Sequence, residues 1–215
     1  MQIDLIFGII VLIFSVILHE VAHGYMANWL GDPTARLQGR LTLNPISHID
    51  LVGSVILPAL LLITHSPMLI GYAKPVPYNP YNLRGKYAEG LVAFAGPGTN
   101  ILLALIFGLL IRSASAQLGP DLTVAFKTIV LINMVLALFN LIPLPPLDGS
   151  KVLSSLLSAI SASLARGYDT FLLTFQRIGL LPMILIVLFV FNFVLLPYFS
   201  MFLGVLFPLL TGTAL

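Results

Sequence analysis

Residues 3–30 read IDLIFGIIVLIFSVILHEVAHGYMANWL: apolar as far as Leu18 apart from Asp4, then carrying His19, Glu20 and His23, and hydrophobic again up to the breaker Gly31-Asp32-Pro33. A helix needs about 20 apolar residues to cross the hydrocarbon of a bilayer, so this stretch is long enough to span. It lacks the basic n-region and the small-residue cleavage site of a secretory signal, which predicts a retained helix.

The remainder of the chain has the same character. Of 215 residues, 59% are hydrophobic and only 8% charged, with a mean hydropathy of +1.05. Soluble domains carry roughly 25% charged residues, so a soluble globule is excluded. Cysteine is absent, which removes disulfides, thiolate metal sites and Cys nucleophiles, and leaves His, carboxylate and water as metal ligands. A net charge of +2 spread over ten basic and eight acidic side chains is no footprint for nucleic acid, and no nucleic-acid partner is expected. The expected partner is the lipid bilayer.

Outward from the first helix, residues 35–43 (ARLQGRLTL) alternate polar and apolar with a period of two, the pattern of a half-buried strand at the membrane interface. Residues 51–63 are apolar but short and broken by Pro58, which predicts a re-entrant segment. Residues 71–81 carry three prolines and should be extended. Residues 89–111, 122–142 and 178–196 have spanning character, 198–210 form a separate shorter apolar run, and 151–176 read as amphipathic. The predicted fold is an all-α polytopic membrane protein with about four to six transmembrane helices, a small membrane-associated β element and a re-entrant segment. Residues 1–215 form one membrane-embedded domain, with the motifs within 5–150 and a C-terminal membrane region at 151–215.

Six of the eight acids, Asp4, Asp32, Asp50, Glu89, Asp121 and Asp169, fall at segment ends where water or headgroups are expected to reach them. Glu20 and Asp148 do not. An acid near the bilayer centre costs about 2.5 to 3.5 kcal/mol and so points to function. His19-Glu20-Val21-Ala22-His23 is HExxH, which on a helix sets two imidazoles about 6 Å apart along the axis on one face. Zinc accepts such a pair together with a carboxylate and leaves a fourth position for water; Glu20, beside a ligand, is then placed as the general base. Two neutral His, one carboxylate and a hydroxide cancel the ion's charge, and Asp148 is the strong candidate for that carboxylate. An N-cap on the following helix is the alternative role for Asp148.

With these residues on the page, the chain resembles the site-2 proteases, intramembrane zinc metalloproteases of peptidase family M50. The resemblance rests on HEVAH at 19–23, GYAKPVP at 71–77, AGPGTN at 95–100 and NLIPLPPLDG at 140–149. The last of these follows the family's NxxPxPxLDG pattern at Asn140, Pro143, Pro145, Leu147, Asp148 and Gly149. It implies one Zn²⁺ per chain held by His19, His23 and Asp148, water activated by Glu20, and Asn140 in the active site holding substrate backbone or the developing oxyanion. Asn100 is read as packing glue together with Gly96, Pro97 and Gly98. No PDZ domain fits between Pro77 and Asn140, so the chain resembles a compact member of the family.

The implied reaction is endoproteolysis within or near a transmembrane segment of a membrane-protein substrate, with residues 35–43 and 71–81 offering edges to the unwound chain. A non-proteolytic metal-binding transporter or sensor is the alternative. His19, His23 and Asp148 must meet at one depth, so an odd number of crossings separates their helices. That arrangement groups Arg36, Arg40, Lys74, Arg84 and Lys86 on one side and predicts a multi-pass protein of the cell membrane, its N-terminus outside and its site toward the cytoplasm. His48 is expected at the surface, and His65 is assigned no role.

Overall fold

The computed structural model describes residues 2–56, 73–114 and 117–214. Eight α-helices run through them: α1 (Gln2–Trp29), the single turn α2 (Thr34–Leu37), α3 (Ala88–Ala114), α4 (Pro120–Asn140), α5 (Asp148–Ile160), α6 (Ala162–Gln176), α7 (Leu180–Val190) and α8 (Leu196–Thr211). Four stretches are long and apolar enough to cross a membrane: Leu5–Trp29, Ala88–Ala114, Pro120–Asn140 and Pro182–Thr211. Their apolar side chains are distributed as a bilayer requires. Leu5, Ile6, Ile9, Ile10 and Ile13 of α1 point outward, where lipid replaces water as the solvent. The inner faces carry small residues, Ala93, Ala104 and Ala137 among them, that let helices approach. One cluster, Ala104, Ile111, Val130, Met134 and Phe207, ties α3, α4 and α8 together.

Contacts fix the helix directions. Ser15, at the middle of α1, lies level with Asn100 of α3 and Asn133 of α4. His19 and His23, one and two turns further along α1, lie beside Asp148, which follows the end of α4. His23 also bonds Val92, near the beginning of α3. Thus α1 and α4 run the same way and α3 runs against both. The amide of Arg84 donates to the carbonyl of Leu30 at 2.7 Å, so the excursion from 31 to 83 leaves and returns at one face and makes no net crossing. Arg112 at the other end of α3 donates to the carbonyl of Leu209, which sets the end of α8 at the opposite face.

Four sequence expectations change: the β element, the two C-terminal runs, Asp32 and His48. The β element is absent: among the described residues there is no strand. The alternation over 35–43 belongs to a helical turn and its exit. Gly39 takes φ 64°, its N–H donates to Arg36, and Arg40 N–H donates back to Ala35; this is a Schellman motif, whose polar-apolar spacing mimics a strand's. Of the re-entrant expectation, Leu51–Ile56 forms a π-helical turn, and 57–63 lie outside the described residues, as does His65. The runs at 178–196 and 198–210 fuse into one helical path. Pro197, which lacks an N–H, is accommodated because the π-helical turn Phe191–Leu195 precedes it. At 30 residues, the path Pro182–Thr211 is about 45 Å long against a hydrocarbon core of about 30 Å, so tilt or protruding ends take up the excess.

Asp32 is the third. It is fully buried, not at a wet segment end. Its carboxylate accepts from Thr34 N–H (3.3 Å), Thr34 Oγ1 (2.6 Å), Asn79 N–H (2.7 Å) and Asn82 Nδ2 (2.8 Å), tying the exit of α1 to the segment that leads into α3. Burial pushes its carboxyl up, but these donors outweigh burial and hold it below the usual range. His48 is likewise buried and not at the surface; its Nε2–H donates to the carbonyl of Thr42 at 2.8 Å.

Candidate metal centre

Helical spacing sets His19 and His23 on one face of α1, both buried, with ring centroids 4.7 Å apart and planes at 85°. Each ring has its Nδ1 occupied. His23 Nδ1 lies 2.7 Å from the carbonyl of Val92; a carbonyl only accepts, so that nitrogen carries the proton. His19 Nδ1 lies 2.6 Å from Oδ1 of the fully buried Asn100. The two Nε2 atoms therefore face inward, 3.1 Å and 3.4 Å from Oδ2 of Asp148.

In neutral rings this arrangement aims two nitrogen lone pairs at a carboxylate oxygen, which is repulsive unless a cation or proton lies between them. The separations fit a metal. Ligand atoms about 2.0 to 2.1 Å from a tetrahedral zinc stand about 3.3 Å from one another, and all three donor atoms here lie within 4.8 Å of one another. Among the described residues, His19, His23 and Asp148 are the one group that could hold a metal ion.

Asp148 reaches the pair because α4 stops at Asn140 and the proline-rich stretch 143–146 turns the chain before α5 begins at Asp148. Asp148 is the first helical residue of α5, preceded by Leu147 as N-cap; its side chain is directed to the imidazoles, so the N-cap alternative is not what is observed. Gly149 permits the tight turn: a Cβ there would lie 2.2 Å from the carbonyl oxygen of Leu141. Gly96 does the same for the crossing of α1 and α3. A Cβ on Gly96 would stand 2.4 Å from His23 Nε2 and 2.6 Å from His19 Nε2, so α3 lies over the imidazole pair only because that position has no side chain.

Glu20 borders the same cavity of about 480 Å³, and its Oε2 accepts the N–H of Val76 at 2.9 Å. The extended segment that carries Val76 has no ladder partner among the described residues; it is held by Asp32 at Asn79, and the N–H of Lys74 donates to His48 O at 2.9 Å. Gly71 and Tyr72 of the GYAKPVP stretch lie outside the described residues. Asn140 also lines the cavity, while its Nδ2 donates to Leu136 of its own helix at 2.9 Å.

Two residues not singled out in the sequence, Tyr78 and Lys151, also line the cavity. Lys151, one turn beyond Asp148, donates to the hydroxyl of Tyr78 and lies 3.6 Å from Glu89 Oε1. Burial pulls Lys151 down, but Tyr78, Glu89 and Asp148 outweigh it and hold its ammonium above the usual range. Asn100 is no mere packing residue: it is the partner of His19, and only the polar Asn inside an apolar span signalled that.

Fold and site together define a polytopic membrane protein with a His-His-Asp cluster that could hold a metal ion. A protein-family model described as peptidase family M50 matches residues 110–186, which include Asn140 and Asp148 but not HEVAH. The Bacillus subtilis protein YwhC, which carries a provisional zinc-metalloprotease name, is 40% identical over 157 residues, 69% of this chain and 68% of that one. Rip2 of Mycolicibacterium smegmatis, with a similar provisional name, is 31% identical over 64% of this chain and 52% of its own. Zinc metalloprotease MJ0392 of Methanocaldococcus jannaschii is 26% identical over 86% of this chain and 46% of its own, so the chain spans about half the length of these last two. No solved structure matches. The chain belongs to peptidase family M50 and is a zinc metalloprotease.

Proposed function

We propose that the protein is an intramembrane endopeptidase that hydrolyses a peptide bond within or near a transmembrane helix of a membrane-protein substrate. The observation that carries this reading is the position of the centre. His19 and His23 lie within a helix long and apolar enough to cross a membrane, and Ile184, Val187 and Leu188 of another such helix line the same cavity, which supports a substrate that is itself membrane-embedded. In this reading residues 1–215 act as one domain, with the C-terminal region 151–215 closing the cavity.

His19, His23 and Asp148 hold the zinc, which when bound supplies a Lewis acid that polarises the scissile carbonyl and acidifies water. Glu20 takes the proton from the attacking water and passes it to the leaving amine. The hydrogen bond from Val76 keeps the Glu20 carboxylate turned toward the cavity. The extended stretch carrying Val76 and Tyr78 lies alongside the unwound substrate, and Asn140 offers its amide oxygen and second N–H to substrate backbone.

Eight of the ten Lys and Arg residues, Arg36, Arg40, Lys74, Arg84, Lys86, Lys151, Arg166 and Arg177, lie outside the membrane-crossing helices, in the segments that join them at the face where the site lies, and only Arg112 and Lys127 lie within such helices, toward the opposite end. The positive-inside rule makes the site face cytoplasmic in the cell membrane. The test is Glu20→Gln: zinc content is expected to match the parent while cleavage of a model transmembrane substrate disappears. A variant that still cleaves would remove Glu20 from the mechanism.

A further inference from the structure

Behind His19 a chain of buried polar groups crosses three helices. Asn133 Nδ2 lies 2.9 Å from the carbonyl of Ile129 and 3.0 Å from Ser15 Oγ. Asn133 Oδ1 lies 2.8 Å from Asn100 Nδ2, which is also 3.4 Å from the carbonyl of Ser15. Asn100 Oδ1 then meets His19 Nδ1 at 2.6 Å. Asn100 and Asn133 are fully buried, and Ser15 is nearly so.

The chain has a direction, set at its far end. A backbone carbonyl can only accept, so the atom of Asn133 facing Ile129 must be the NH₂, and its oxygen must face Asn100. Asn100 must in turn present its NH₂ to Asn133 and its oxygen to His19. An oxygen there requires the proton on His19 Nδ1, which leaves the Nε2 lone pair for the cavity. We propose that Asn133 is a positioning residue for His19, acting by locking which way round the Asn100 amide lies. Without Asn133, Asn100 is held only by the 3.4 Å contact to Ser15. A flipped Asn100 would face His19 with NH₂, move the imidazole proton to Nε2 and block the ligand position. His23 needs no such relay, because its Nδ1–H already rests on the carbonyl of Val92. The inference rests on the metal reading above and adds to it a residue outside all four motifs.

The test uses the full chain in detergent, with zinc affinity measured by chelator competition and the imidazole N–H resonances followed by NMR. Asn133→Leu is expected to lower zinc affinity about 10- to 100-fold, the range for residues that orient metal-binding His. The Nδ1–H signal of His19 should broaden or exchange faster while that of His23 persists. Adding Asn100→Asp should restore affinity, because a carboxylate offers only acceptors to His19 and needs no partner to orient it. Asn133→Ala is measured alongside in case the bulkier variant does not fold. Unchanged affinity in a folded Asn133 variant, or a double variant that folds but is not rescued, would overturn the relay alone. A parent that binds no zinc would overturn the metal reading first.

Discussion

Gly96→Ala isolates the crossing of α1 and α3. The added methyl would lie 2.4 Å from His23 Nε2, 2.6 Å from His19 Nε2 and 2.6 Å from His23 Cε1. Ordinary contact is about 3.5 to 4.0 Å between such atoms, so the rings or α3 must retreat by about 1 Å. Metal–ligand distances tolerate only about 0.2 Å, and both Nε2 atoms are affected together. We expect a loss of zinc affinity of about 100-fold or more, about 3 kcal/mol at 1.4 kcal/mol per tenfold. Overpacking should cost a further 1 to 3 kcal/mol of stability, roughly. Gly98→Ala is the matched control: its methyl would meet only the Phe94 ring, at 3.2 Å or more, and that exposed side chain can give way. Zinc titration of both variants, with melting curves, separates the cases. If Gly96→Ala binds zinc and cleaves as the parent does, the imidazoles do not lie beneath α3 as described.

Three further outcomes are expected. Asp148→Asn removes the anionic ligand and should reduce zinc affinity by more than the roughly 100-fold typical of outer partners, read by metal analysis after dialysis; retained zinc would exclude Asp148 as a ligand. Asp32 has a lowered carboxyl pKa in the folded state, so its contribution is complete above the unfolded value of about 3.9 and is lost as pH falls through the folded one. Asp32→Ala should therefore cost about 3 kcal/mol near neutral pH, the donors being left unpaired, and flatten the acid limb of stability; melting points of parent and variant between pH 3 and 7 that run parallel would count against this. Reporter tags inserted after Asp50 and after Asn79 should both lie in the cytoplasm, because the 31–83 excursion closes on itself; opposite locations would break the topology.

The grouping of His19, His23 and Asp148 was legible because it depends on features a sequence carries directly. Helical spacing pairs His19 with His23, and Asp148, an acid at the end of a long apolar run, stands out in a chain so poor in charge. Asn100 was visible as a residue but not as a role, since its partner lies 81 positions away and a buried Asn looks alike whether it bonds a helix or a ring. The misread strand over 35–43 shows how one helical turn plus a left-handed glycine reproduces a period of two. Asp32 was misplaced because its four donors come from loop backbone and short polar side chains, none of which signals burial. The fused C-terminal path escaped notice because Pro197 reads as a breaker unless the looser winding before it is known.

The bond between Leu30 and Arg84 means that the loop between them begins and ends at neighbouring points. The two anchoring helices are tied to each other at the ends of that stretch, by Leu30 with Arg84 and by Asp32 with Asn79 and Asn82. Relatives of unequal size could thus share one reaction centre.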